Sequence, residues 1–136
     1  MQRRGLVPAE TCRAWAAARL ESGVRFLVPE IIDYELRREL IRLNHTAAIA
    51  RLDEFIHTSD RLIRITPQTL KLAANLWADM RTRGLPTSSA ESLDIDVILS
   101  AQVLSADYPP EQFVVATSNS NHISRMVRSA PWQDIL

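Results

Sequence analysis

Three short runs rich in β-branched and aromatic residues stand apart along the chain: "VRFLVP" (24–29), "DRLIRIT" (60–66) and "FVVAT" (113–117), with helix-forming segments between them. Strands this far apart in sequence do not join through tight hairpins. The helix between them returns the chain to its starting end, and the next strand runs in the same direction. The chain therefore reads as an α/β protein with a parallel sheet covered by helices on both faces. Ligands of such sheets sit beyond the carboxyl ends of the strands, which singles out the polar residues after "VRFLV" and "FVVAT". Glu35 and Asn119 lie there.

The helices are predicted as follows. "PAETCRAWAAARLESG" has the Ala, Leu and Arg content of a helix closed by Gly23, with Trp15 and Leu20 as its larger apolar anchors. "PEIIDYELRRELIRL" takes Pro29 in its first turn and repeats Ile32, Leu36, Leu40 and Leu43 at helical spacing. A third helix, His45 to His57, carries Ile49, Leu52 and Ile56 on one side. A fourth runs from Pro67 through "QTLKLAANLWADMRTRG", with Leu70, Ala73, Ala74 and Trp77 inward and Gly84 as its stop. Ser88 and Glu91 then stand at capping-box spacing and lead into a fifth helix through "LDIDVILSAQ". The tail "PWQDIL" adds a last strand or a cap. No repeat or Gly/Ser linker divides the 136 residues, which read as a single domain, 1–136.

Composition removes several classes of function. No run of about 18 apolar residues is present, and "MQRRGLVPAE" lacks the apolar core of a signal peptide, so the expectation is a cytoplasmic protein without a membrane partner. Cys12 is the single cysteine, which excludes an internal disulfide and any zinc site built on several thiolates; core filling is its expected role. Charge is balanced at 16 basic and 16 acidic residues, so no global field draws the chain to nucleic acid, although a local patch stays open. All but one of the basic residues are Arg, the exception being Lys71, and guanidinium groups suit two-pronged phosphate contacts.

The opening of the fifth helix poses the chemical question, because Asp94 and Asp96 sit at the mouth of an apolar run and an ionised carboxylate resists burial without a partner. Asp94 is read as a helix cap or first-turn anion. Asp96, two residues further in and on the side of Ser100, faces the sheet, and a cation would compensate it. Glu35 reads equally as a surface charge of the second helix or as a ligand. Asp33 with Arg37, and Arg38 with Glu39 or Arg42, read as ordinary surface pairs. After "FVVAT", Ser120 and Asn121 read as turn formers, whereas Thr117 and Asn119 are placed to point into the crevice. Glu35, Asp96 and Asn119 together would offer the hard oxygen donors that Mg²⁺ or Mn²⁺ accepts. His45, His57 and His122 lack ligand spacing and read as surface or satisfied histidines.

The segments "VPEIIDYELRREL", "LDIDVILSAQ" and "VVATSNSNHISRM" resemble, in order and spacing, the PIN-domain nucleases, a superfamily that includes the VapC-type toxins of toxin-antitoxin pairs. The resemblance runs from about Val24 to the end. It implies a three-layer sandwich with a parallel sheet flanked by helices, and divalent metal held by Glu35, Asp96 and Asn119. Thr117 would orient a ligand or a water, and Arg38 and Arg42 would be phosphate contacts. The implied activity is Mg²⁺- or Mn²⁺-dependent hydrolysis of single-stranded RNA, with two ions about 4 Å apart holding the attacking and leaving oxygens. The implied partners are RNA, an antitoxin protein and a second copy of the chain. A catalytically silent PIN-like module that holds RNA or protein is the alternative. PIN nucleases also begin with a central strand ending in Asp, and no Asp precedes Asp33 here. The expectation is a gene start assigned too late, with a truly shortened, inactive chain as the alternative, and the 136 residues alone aggregating or hydrolysing poorly.

Overall fold

The computed structural model describes residues 8–84, 90–117 and 123–135. Helices form where the sequence predicts them: α1 spans Pro8–Glu21, α2 Glu30–Arg42, α3 Thr46–His57, α4 Pro67–Thr82 and α5 Ala90–Ser105. Gly23 (φ +90) and Gly84 (φ +62) follow α1 and α4 in the left-handed backbone that glycine adopts without steric penalty. At the start of α4 the Thr66 hydroxyl accepts the Thr69 N–H at 3.1 Å, with Pro67 in the first turn where its missing N–H costs nothing.

Strand pairing is parallel, as expected. β1 (Val28–Pro29) pairs with β2 (Leu62–Ile63) in the register Val28↔Leu62, and β3 (Val115–Ala116) pairs with β4 (Ser129–Ala130) in the register Val115↔Ser129. The extent of pairing differs from the expectation of one sheet, because the described strands form two separate pairs. β1 is short for a chemical reason: Pro29 has no N–H for a ladder, and Glu30 already begins α2. Pro29 thus precedes α2 instead of occupying its first turn. A 3₁₀ turn, Trp132–Asp134, follows β4 and closes the described chain.

α5 organises the core. Leu99 and Val103 join Ile31 of α2 with Ile123 and Val127 in one apolar cluster, with Phe113 and Val115 packed against it. Leu93, Val97 and Ala101 join Ala73 and Met80 of α4 in a second cluster, and Ile98 packs against both. The middle of α5 is therefore buried around most of its circumference, like a helix inside a much larger protein. α1 attaches through Trp15, whose ring lies 5.7 Å from Phe26 and 5.8 Å from Trp132 and whose indole N–H donates to the Ile135 carbonyl at 2.8 Å.

Further sequence expectations need correcting: on α1, Trp15 packs as an anchor but Leu20 is exposed. On α2 the buried residue is Ile31, while Leu36 and Leu43 of the predicted stripe are exposed. On α4 the inward stripe is Thr69, Ala73, Leu76 and Met80; Ala73 faces inward as expected, but Leu70, Ala74 and Trp77 face outward. The reason is close approach: Ala73 of α4 and Ala101 of α5 share one cluster, and an indole at such a contact would hold the helices apart. Asp94 is not a cap, since α5 begins at Ala90 and Asp94 lies exposed in its second turn. Other expectations hold: on α3, Ile49, Leu52 and Ile56 are at least half-buried, and His45 and His57 are exposed. Ser88, Asn119, Ser120, Asn121 and His122 lie outside the described residues, as do the side chains of Cys12 and Glu91.

Candidate functional site

A buried amide positions the region where Glu35 and Asp96 are found. Gln102, 0 % exposed on α5, accepts the Ile31 N–H at 3.0 Å through Oε1 and donates from Nε2 to the Ile63 carbonyl at 2.6 Å. Ile31 lies in the first turn of α2, where backbone donors lack helical partners, so the Gln102 oxygen supplies one. Glu30 adds a second tie, its Oε1 accepting the Ile65 N–H at 2.7 Å. These bonds lock the start of α2, the end of β2 and the last turn of α5 together. The carboxyl end of the β1–β2 pair is thereby a fixed rim.

Glu35 and Asp96 both stand half-buried on helix faces that lead into the cluster built on Ile31, Leu99 and Val103. Residues three and four apart share a helix face. Glu35 follows Ile31 by four residues, and Asp96 precedes Leu99 by three and Ser100 by four. Thr117 comes just after β3, whose Val115 packs on the same cluster, and the Thr117 N–H donates to the Ala130 carbonyl at 3.0 Å. The elements that carry Glu35, Asp96 and Thr117 therefore all contribute to one apolar core. Asp96 and Thr117 each have a further partner within the protein. Among the described residues no group of three or more His, Cys, Asp or Glu side chains forms a metal cage, and Asn119, the third expected ligand, lies outside them.

The Ser100 hydroxyl bears on whether the residues suit a cation. Ser100 is 0 % exposed and its Oγ has no hydrogen-bond partner among the described residues. A buried hydroxyl left unpaired costs about 1–3 kcal/mol, and a helical serine ordinarily avoids this by bonding back to the carbonyl four residues earlier. Here that carbonyl belongs to Asp96. An uncommitted oxygen one turn from a half-buried carboxylate adds to a donor set made wholly of oxygen, the chemistry that Mg²⁺ and Mn²⁺ accept. The donors suit such an ion by type, while the carboxylates of the described residues form no cage around one.

The cations of α2 divide by partner. Arg37 is held by two carboxylates, Nη2 donating to Asp33 Oδ1 at 2.9 Å and to Asp53 Oδ1 at 2.7 Å, which raises its pKa further above the ordinary arginine value, Asp33 contributing most. Asp33 with Arg37 is thus the structural pair read from the sequence, extended by Asp53 to tie α2 to α3. Arg42 donates to Glu39 at 2.7 Å in an exposed pair, and Arg38 lies 5.2 Å from the centre of the Tyr34 ring. Exposed pairs contribute about 0–1 kcal/mol, so Arg42 can exchange Glu39 for a phosphate at small cost.

Gln102, Glu30 and Ser100 were not assigned roles from the sequence. Gln102 left one legible sign, an amide in the apolar run "ILSAQVL", since a polar side chain buried there needs a partner for each end. The partners themselves come from segments 71 and 39 residues away, which no local pattern reveals. In comparisons with known proteins, no family model, no curated protein and no solved structure matches the chain.

Proposed function

We propose that the chain is a divalent-metal-dependent ribonuclease of the PIN type, hydrolysing phosphodiester bonds of single-stranded RNA from a three-layer sandwich. The observation that carries this reading is the pair of half-buried carboxylates, Glu35 and Asp96, on the faces of α2 and α5 that enter one cluster, with Val115 of β3 packed on the same core two residues before Thr117. A half-buried carboxylate on a core-facing stripe is costly unless compensated; Asp96 has a partner within the protein, and in this reading a cation adds to it and compensates Glu35. In this reading Glu35, Asp96 and Asn119 hold Mg²⁺ or Mn²⁺. When bound, the ion supplies a water of lowered pKa and neutralises charge on the phosphate. Thr117 orients a neighbouring donor or water, and Arg38 and Arg42 bind substrate phosphates. The site would lie in the cytoplasm, and as a toxin the chain would pair with an antitoxin and with a second copy of itself. No helix is long and apolar enough to cross a membrane among the described residues.

Calorimetric Mn²⁺ titration of the wild-type chain, Glu35→Gln and Asp96→Asn tests this, alongside cleavage of a single-stranded RNA. The expected result is Mn²⁺ binding that Asp96→Asn abolishes, with cleavage lost in the same variant. Mn²⁺ binding unaffected by both substitutions would overturn it. A second reading, a PIN-like module that binds RNA or protein without cutting, is favoured by the neutral Asn119 where a carboxylate would add charge. RNA retention without Mn²⁺-dependent cleavage would select it.

A further inference from the structure

We infer that Arg25 and Arg61 form a second, independent anion site that takes the phosphate group of a nucleotide, free or within an RNA strand. The two residues come from the amino ends of β1 and β2: Arg25 precedes Val28 by three positions, Arg61 immediately precedes Leu62, and Val28 pairs with Leu62. The Val28 N–H donates to the Arg61 carbonyl at 2.8 Å, which fixes the two segments side by side. Both arginines line one depression of about 250 Å³, together with Leu20, Val24, Phe26 and Ser59. Glu35 and the carboxylate region follow the opposite end of β1, so the two sites are separate.

What marks this depression as a ligand site is how the cations are held. Arg25 Nη1 donates to the Tyr108 hydroxyl at 2.9 Å. Arg61 Nη1 donates to the Phe55 carbonyl at 2.9 Å, and its guanidinium lies 4.3 Å from the centre of the Phe55 ring. Each group is thus anchored by neutral partners, and among the described residues neither has a carboxylate within ion-pair distance. Arg37, Arg42 and Arg83, by contrast, are all neutralised by acids. Two guanidinium groups held by neutral partners keep unused donors, and both side chains line the same depression. A phosphate group, with several terminal oxygens, can accept charge-assisted bonds from both guanidinium groups. The volume exceeds that of the anion alone, and the Leu20, Val24 and Phe26 wall offers an apolar surface for the organic part of a nucleotide.

The test uses the full chain in EDTA, so that it does not depend on the metal-dependent reading. The probes are fluorescein-labelled single-stranded RNA, with unlabelled AMP and inorganic phosphate as competitors. The expected result is RNA binding that Arg25→Ala weakens about tenfold or more, the loss of one charge-assisted fork. Tyr108→Phe, which leaves net charge unchanged and removes only the anchor, weakens it to a smaller degree. Arg51→Ala removes an exposed cation that does not line the depression and leaves affinity unchanged. Competition by AMP assigns the site to a nucleotide phosphate; binding that only the RNA shows, and that Arg25→Ala removes, assigns it to the strand. Equal weakening by Arg51→Ala and Arg25→Ala, or no binding of any probe, overturns the inference. Circular-dichroism melting confirms that each variant is folded.

Discussion

At the scale of single residues, Gln102 and Ser100 are neighbours in similar burial with opposite energetics. Gln102→Ala removes both partners of a closed amide and strands the Ile31 N–H and the Ile63 carbonyl, so a loss of roughly 2–5 kcal/mol is expected in urea unfolding. Ser100→Ala removes an oxygen that bonds nothing among the described residues, and the unfolding midpoint of the metal-free chain should stay level or rise. Arg37 gives a prediction about pH. Its folded pKa is raised above the ordinary arginine value, so the stabilisation is complete below that value and is lost only as pH climbs through the still higher folded one. Deprotonation of Arg37 should therefore produce no step in stability across the neutral and mildly alkaline range, and equilibrium unfolding at a series of pH values checks this. The candidate ligands were legible as residue types: Glu35 and Asp96 declare themselves as acids within apolar helical runs. Asp96 was legible as the inward residue of the two and is half-buried, whereas the cap role read for Asp94 failed because α5 starts at Ala90, which only the fold supplies.

At the scale of elements, helix positions followed from composition and from Gly and Pro, while the choice of buried face did not. α2 carries apolar residues on more than one face, and the packing of α5 and the 123–127 segment selects Ile31 over Leu36 and Leu43. α4 offers Leu70 and Trp77 on one side and Thr69, Ala73 and Met80 on the other; a neighbour contributing Ala101 favours the side with the smaller residue. The strands were legible as apolar runs, yet their division into two short parallel pairs was not, and Pro29 accounts only for the shortness of β1. Two substitutions examine these elements. Thr66→Ala removes the hydroxyl that caps α4 and should cost about 1 kcal/mol. Ala101→Leu introduces bulk into a 0 % exposed contact between α4 and α5 and should cost about 1–3 kcal/mol, whereas Ala74→Leu on the exposed face should change the unfolding free energy little.

For the molecule as a whole, the fold is arranged around α5 as an axle, with α4 on one side and α2, β3 and the 123–127 segment on the other. Amide exchange should accordingly be slowest in residues 97–103 and fastest in the exposed turns between helices, measured by deuterium uptake on the intact chain. Comparable uptake across all helices would contradict the axle. The Gln102 amide that clamps this assembly also shows how little chemistry separates one stable fold from a conditional one. Gln102→Glu preserves shape and the acceptor for Ile31, yet an ionised carboxylate would turn a lone pair toward the Ile63 carbonyl. Only the protonated acid can donate there, so its pKa in the native state must rise above that of the unfolded chain. Such a variant would hold together in acid and loosen as the solution is neutralised, making a permanent joint into one that answers to acidity.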